Sequence, residues 1–506
     1  MRFALDIPPG IVSDETAVTV GEAAWLAGKN VRFNKGRPET IGGWEKLVAT
    51  PLTGVCRTVL PWTDLVGALL IAFGTHSALQ VYRGGALYTI TPAGLTAGAE
   101  HGTGTAGYST GAYGIGGYSE PSSADYFART WSFDTWGQGL MANPRGNKIY
   151  WWQNNTATPA AALTGAPVNV TYMLVNEQRQ VMAFGCNEEV SGTFNPLCIR
   201  FSDIENPTDW TTTPSNNAGE VILKGGGRIV AARAIGPYVF VWTDNALYLG
   251  TFVGDPSQTW RFDQIARNCG LMGPNAVVIV GQTAYWPSPD SQFHACGLGG
   301  APSILPCTVR NDFAEHLSAS QMDKVVASSC ATFSEIRFDY PDERDGFENS
   351  RYIAASLQGQ QIVWTKGEMA RSAYVDAGPS VSPIGVAPTG EVYFHERGHT
   401  ADGGALGWYI ESGAQSISDE RKCMRIREIE PDILDQVGPV TLRVFTREYA
   451  QSLEEEWDPV VLVAQETFQD FRAEGRFVRV RFEGEAVPSF ARLGLPSFDV
   501  VQTGGR

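Results

Sequence analysis

The chain has 506 residues, of which 43% are apolar, 11% aromatic and only 18% charged, with 56 glycines. That is enough for one large repeat fold with an appendage, and the composition suits many short strands joined by turns. The net charge of −16 argues against the basic footprint of a protein that wraps nucleic acid; there is no run of 18 apolar residues to span a membrane, and the N-terminus lacks the apolar core of a signal peptide, so synthesis in the cytoplasm is expected.

Residues 1–54 read as opening strands and a hairpin, with Asn34-Lys35-Gly36 as its turn. From 55 to 420, strand–turn–strand signals recur at Leu70–Tyr82, Gly139–Trp152, Gln180–Asp203, Tyr238–Gly250, Thr283–Leu298, Glu335–Leu357 and Gly390–Ile410. Their starts lie about 40 to 70 residues apart, the scale of propeller blades. The clearest unit is Tyr238–Val309, where short apolar runs flank Thr243-Asp244-Asn245 and a longer hairpin, Phe252–Phe262, turns at Gly254-Asp255-Pro256. The fold class is therefore all-β: a β-propeller of six or seven blades with an insertion at 94–128. The best short helix is Asp312–Lys324, with Asp312 as its N-cap. Eight cysteines, none in a CxxC pair, are expected as small core residues. Residues 421–506 alternate charged and apolar side chains with period two, as in Arg476–Glu483, and read as a β-sandwich-like domain. Its arginines fit a nucleic-acid patch or, more commonly, one solvated face of a sheet.

The insertion Gly94–Ala128 is low in complexity, and Tyr108, Tyr113 and Tyr118 recur in it every five residues. It reads either as a flexible surface loop or as a contact loop in which these three tyrosines form an interface. It is no phosphate cradle, because no Gly-Lys-Ser/Thr follows it.

His395-Glu396-Arg397-Gly398-His399 matches the zinc-protease pattern, whose chemistry needs both histidines on one helical face. The alternation in Glu391–Phe394 and the turn formers at Gly398 and Ala401–Gly404 predict a hairpin corner with exposed histidines instead. The acidic stretch Pro341–Gly346 lacks the length and spacing of a calcium loop and reads as a solvated turn. No Gly-x-Ser-x-Gly elbow occurs, and six histidines leave little material for a hydrolytic triad. No catalytic residue, metal ligand or cofactor is assigned.

Several motifs in order carry a resemblance. They are Asn30–Phe33 with Gly42-Gly43-Trp44, Phe201–Trp210 with Asn217–Leu223, Thr243–Tyr248, Cys269–Pro274, Leu305-Pro306-Cys307, Gln321–Val325, Tyr340-Pro341 and Glu348–Tyr352. With the Tyr/Gly insertion and the stretch from Gly494 to the end, they resemble the tail nozzle (tubular tail) proteins of short-tailed bacteriophages over nearly the whole chain. The resemblance implies a structural, non-enzymatic virion subunit with a β-propeller, assembled in the bacterial cytoplasm. Six copies would form the distal tail tube, docked to a tail adaptor and to fibres or spikes, facing the host cell surface, and conducting and gating genomic DNA without stable membrane insertion. The chain departs from the pattern at His395 and His399, where relatives tend to keep an acidic residue but not both histidines, which leaves a metal at that corner open. The conduit role carries an expectation for the 54 acidic residues: a disproportionate share should line the lumen, repelling and centring the duplex within about 8–10 Å at physiological salt. The alternative from another class is a propeller-type virion protein that binds or cleaves glycan, marked by an aromatic pocket with paired carboxylates.

Overall fold

The computed structural model describes residues 2–21, 23–102, 127–255, 258–359, 361–416, 422–465 and 467–504. The chain is almost wholly β. Among the described residues, the helical segments are Ala17–Val20, Arg310–His316 and two 3-10 turns, Ala319–Lys324 and Ala331–Phe333. None of these helices is long and apolar enough to cross a membrane.

Seven four-stranded antiparallel sheets follow one another along the chain. Their first strands are Cys56–Thr63, Trp131–Trp136, Tyr172–Val175, Ile229–Ile235, Val278–Val280, Val326–Cys330 and Ala373–Val375. In the first six sheets the strands pair in sequence order, joined by connections that run from tight turns to the long loop between Phe201 and Gly219. The seventh takes Ala373–Val375, Ile384–Val386 and Val392–His395 from this region, and its outer strand, Trp44–Lys46, from the start of the chain. The first strand of the first sheet contacts the first strands of both the second and the seventh sheets. Sequence-distant residues thus join the two ends of the series, covering a sheet edge that would otherwise present unpaired N–H and C=O groups.

The turn chemistry explains much of the regularity. At Thr243-Asp244-Asn245-Ala246, the Thr243 hydroxyl donates to the Ala246 carbonyl and accepts from the Ala246 N–H at 2.8 Å. Thr75-His76-Ser77-Ala78 repeats the arrangement in the first sheet, again with a 2.8 Å bond to Thr75 Oγ1. Both threonines are fully buried. Gly270 is required by the first of these turns, since a Cβ there would lie 2.1 Å from the Asp244 carbonyl oxygen. Between sheets the core is aromatic: Trp242 of the fourth meets Trp286 of the fifth edge to face at 5.5 Å, a geometry worth about 0.5–1.5 kcal/mol beyond area burial.

The expected boundaries of the flanking regions change. Residues 1–54 form no unit of their own, because Trp44–Lys46 completes the seventh sheet and their other strands complete three sheets built with the C-terminal region. Arg2–Ala4 pairs with Ser497–Gly504, Trp25–Lys29 with Trp408–Ser412, and Arg37–Thr40 with Phe490–Leu493. Trp408–Ser412, expected within the repeat region, belongs to this second body through Phe477–Gly484. Strand Val440–Arg447 alternates strictly between buried and half-buried residues, so one face packs inward, as its period-two pattern requires. The hairpin turn at Lys35-Gly36 is as expected, with φ of 51° and 79°.

Two local expectations are corrected, and a third, that the cysteines are core residues, holds for six of the eight. The helix over Asp312–Lys324 divides into Arg310–His316 and a 3-10 turn, and Asp312 lies in the first turn after the Val309 cap. Asp342, expected in a solvated loop, is fully buried because Arg344 and Arg351 neutralise it. The cysteines are all free; six are buried, while Cys307 and Cys423 are half-buried.

Candidate functional site

The first strands of all seven sheets line one cavity of about 410 Å³. Its wall is mostly apolar, with Leu60, Phe133, Ile279 and Tyr374, and its charged residues are Arg57, Asp134 and Arg233. Side chains bridge the axis at the end where the first strands begin. Asn275, just before the fifth sheet, donates to the Arg57 carbonyl at 2.9 Å and to Thr58 Oγ1 at 3.2 Å, both in the first sheet. Arg145 of the second sheet pairs with Asp323, just before the sixth. These sheets are not neighbours in the series, so the bonds tie opposite sides together across this end of the cavity.

Beside this end lies a compact charged cluster. Glu348 accepts from both terminal nitrogens of Arg57, at 2.5 and 2.7 Å, and from Lys324 Nζ at 3.0 Å. Lys324 also donates to His101 Nδ1 at 2.7 Å and to the Phe347 carbonyl. Burial, followed by the charge of Arg57, pushes the Lys324 ammonium down to about 8. Glu100, His101 and Glu348 stand close enough to hold a cation, but two cationic side chains already occupy Glu348 and the lone pair of His101 Nδ1. A metal there would have to displace both. The cluster therefore acts as a clamp, fixing the base of the 94–128 insertion to the sixth sheet; Gln321 adds a bond to the Gly102 carbonyl. Tyr108, Tyr113 and Tyr118 lie outside the described residues.

The His395–His399 corner takes another form than the metal site its pattern suggests. Val392–His395 is a strand and Glu396 has φ of 58°, so no helix sets the two rings on one face. The histidines are not exposed as expected. His395 is buried, its Nε2 accepts from Arg371 Nε at 2.9 Å, and burial, with Arg371 and Arg337 next, holds its pKa well below the usual 6.5. His399 packs on Phe490 at 4.6 Å. Glu396, the would-be base, is gripped by Arg32 at 2.5 and 3.0 Å and by the Gly42 N–H at 3.1 Å. Cβ atoms at Gly42 and Gly43 would lie 2.4 Å from Glu396 Oε2 and the Thr400 carbonyl. The Gly-Gly-Trp sequence is there to let the outer strand of the seventh sheet dock against this corner.

The arginines of the second body neutralise their own sheet. Arg443 pairs with Glu456 and Glu483, Arg447 with Glu454, and Arg479 with Glu411 and Glu454. This is the ion-paired face of a sheet, with its positive charge already matched.

No family model matches this chain, and no curated protein does. Among solved structures it is similar to the crystal structure of the computationally designed Ika8 protein, with 11% identity and a TM-score of 0.38, over 69% of this chain and 99% of that chain.

Proposed function

We propose that this chain is the nozzle subunit of a short phage tail, a closed seven-bladed propeller carrying a sandwich-like second body. The observation that carries the reading is the ordered set of nozzle-like motifs, supported by where those motifs lie. Several of them lie at turns and strand ends and bond to one another or to neighbouring strands. Leu271 N–H donates to the Thr243 carbonyl at 3.1 Å and Cys269 N–H to the Asn245 carbonyl at 3.2 Å. Trp364 Nε1 reaches the Pro306 carbonyl at 2.8 Å, and Asn349 Nδ2 the Lys324 carbonyl at 2.9 Å. Residues that look scattered in sequence therefore form one system that sets how successive sheets meet.

On this reading the subunit acts mechanically, as one of six copies in a ring docked to an adaptor and to fibres or spikes. The axial pocket, at about 410 Å³, has the volume of a small-molecule site, roughly 300–1,000 Å³, and is far too small for a duplex. DNA passes between copies, along walls in which acidic side chains are enriched. The glycan-cleaving alternative has less support, since two carboxyl groups about 5–10 Å apart are needed and the axial wall carries one, Asp134. Negative-stain images of the purified chain, alone and mixed with a phage tail adaptor, test the proposal. Rings with six-fold symmetry are expected; a protein that stays monomeric under both conditions would refute it.

A further inference from the structure

The axial pocket is lined by two half-buried charges, Asp134 and Arg233, that lack a direct counter-ion. Asp134 accepts from the backbone N–H groups of Val175 and Thr135, both at 2.8 Å. Arg233 donates to the Tyr172 hydroxyl and to the carbonyls of Ala232 and Pro274, at 3.0 and 3.1 Å for the latter two. Each feels the other's charge, yet among the described residues neither forms an ion pair. Burial pushes the Asp134 carboxyl up to about 6 and the Arg233 guanidinium down to about 10. Withdrawing a carboxylate and a guanidinium partly from water while holding them apart carries a cost, and such charges are commonly matched by a partner of opposite sign. Here the two stand on the second and fourth sheets, on either side of Tyr172 on the third, and both line the same apolar cavity. A mostly apolar pocket with a few converging polar groups is the usual form of a small-molecule site.

We propose that the axial pocket binds a small zwitterion with an apolar body, the chemistry of an apolar amino acid or short dipeptide. Its ammonium meets Asp134, its carboxylate meets Arg233, and its apolar part lies against Phe133, Leu60 and Ile279. The pocket opens at Ala234, which is exposed and lines it. This inference does not depend on the tail reading.

Saturation-transfer NMR and calorimetry on the full chain with L-phenylalanine and glycyl-L-phenylalanine test it. Two matched controls carry one charge each, phenethylamine without the carboxylate and 3-phenylpropanoate without the ammonium. Saturable binding of at least one zwitterion is expected, with both controls weaker by tenfold or more. Asp134→Asn and Arg233→Met should each weaken zwitterion binding by a similar factor. Because those two changes also remove hydrogen bonds within the fold, Ala234→Trp at the exposed mouth provides the independent arm: it should block binding while leaving the melting temperature near that of the wild type. Absence of saturable binding by both zwitterions, controls that bind as well as they do, or binding indifferent to Ala234→Trp would each overturn the proposal.

Discussion

Arg371 donates through Nε to His395 Nε2 at 2.9 Å, deep beneath the corner that carries the HExxH pattern. A nitrogen that accepts this bond has no lone pair left for a metal, and the ring must be neutral to accept it. His395→Ala should therefore leave the zinc content of the purified protein unchanged while removing the partner of a buried guanidinium. The expected cost is about 2–4 kcal/mol, combining a cavity with an unsatisfied donor. Metal analysis and urea denaturation check both halves. Stoichiometric zinc lost in a His395→Ala/His399→Ala double variant would refute the assignment.

The same bond sets a pH dependence. His395 is held neutral in the folded chain, with its pKa well below 6.5, whereas in the unfolded chain it titrates near 6.5. As pH falls below about 6.5 the unfolded state takes up a proton that the native state refuses, so stability is lost with falling pH, at up to about 1.4 kcal/mol per pH unit. Asp134, raised to about 6, works the other way between its unfolded value near 4 and 6. A comparison with His395→Gln subtracts that opposing contribution. The stability difference between wild type and His395→Gln should shrink from pH 7.5 to pH 5; parallel curves would show that His395 is not the group responsible.

Trp44 lies 5.5 Å from His395, and Arg371 stacks over its ring at 4.9 Å. It anchors the only strand of the seventh sheet that comes from the start of the chain. Trp44→Ala should cost about 2–3 kcal/mol, less than for a fully buried tryptophan. Its effect should be local, with hydrogen exchange accelerating first across Ala373–His395 and the fourth sheet remaining protected. Uniform acceleration through all seven sheets would mean that closure is not a separate cooperative step.

The chain enters and leaves the insertion at one place, since the Arg129 N–H donates to the Ala99 carbonyl at 2.8 Å. Deleting Gly104–Gly117 should consequently leave the fold intact, with a melting temperature within a few degrees of wild type. Assembly or attachment should fail if Tyr108, Tyr113 and Tyr118 make contacts. A deletion that folds and also yields infectious particles would leave the insertion as a simple flexible loop.

Asn275 offers a measure of how firmly the axis is bridged. Asn275→Ala removes its bonds to Arg57 and Thr58 across the ring and should lower stability by about 1–2 kcal/mol. If the chain is a nozzle subunit as proposed, with the duplex passing outside the pocket, DNA ejection by virions carrying this variant should keep its wild-type rate. A faster or slower ejection would place the DNA path through the pocket after all.

Much of the β architecture was readable from residue patterns, because it depends on neighbours in sequence. The first six strand–turn–strand signals each fall in one of the first six sheets, since turn formers such as Thr243-Asp244-Asn245 act within a few residues. A short repeat is legible too: Thr75-x-x-Ala78-Leu79 and Thr243-x-x-Ala246-Leu247 mark the same turn in two sheets. The alternation in Val440–Arg447 likewise fixed which side chains face inward, whatever the partner.

What depended on distant partners was not legible. No local pattern tells Trp44–Lys46 to pair with Val392–His395, or Trp25–Lys29 with Trp408–Ser412, because strand pairing across some 350 to 390 positions is selected by packing rather than by propensity. Burial of charge is equally a tertiary matter. His395 and Lys324 read as polar surface residues one at a time; they are buried because Arg371 and Glu348 are brought to them by the fold to offset the loss of water, whereas Asp342 is matched nearby in sequence, by Arg344 and Arg351. The axial pocket follows the same logic. Asp134 and Arg233 lie about a hundred residues apart in sequence, and only the ring of first strands sets them around one cavity.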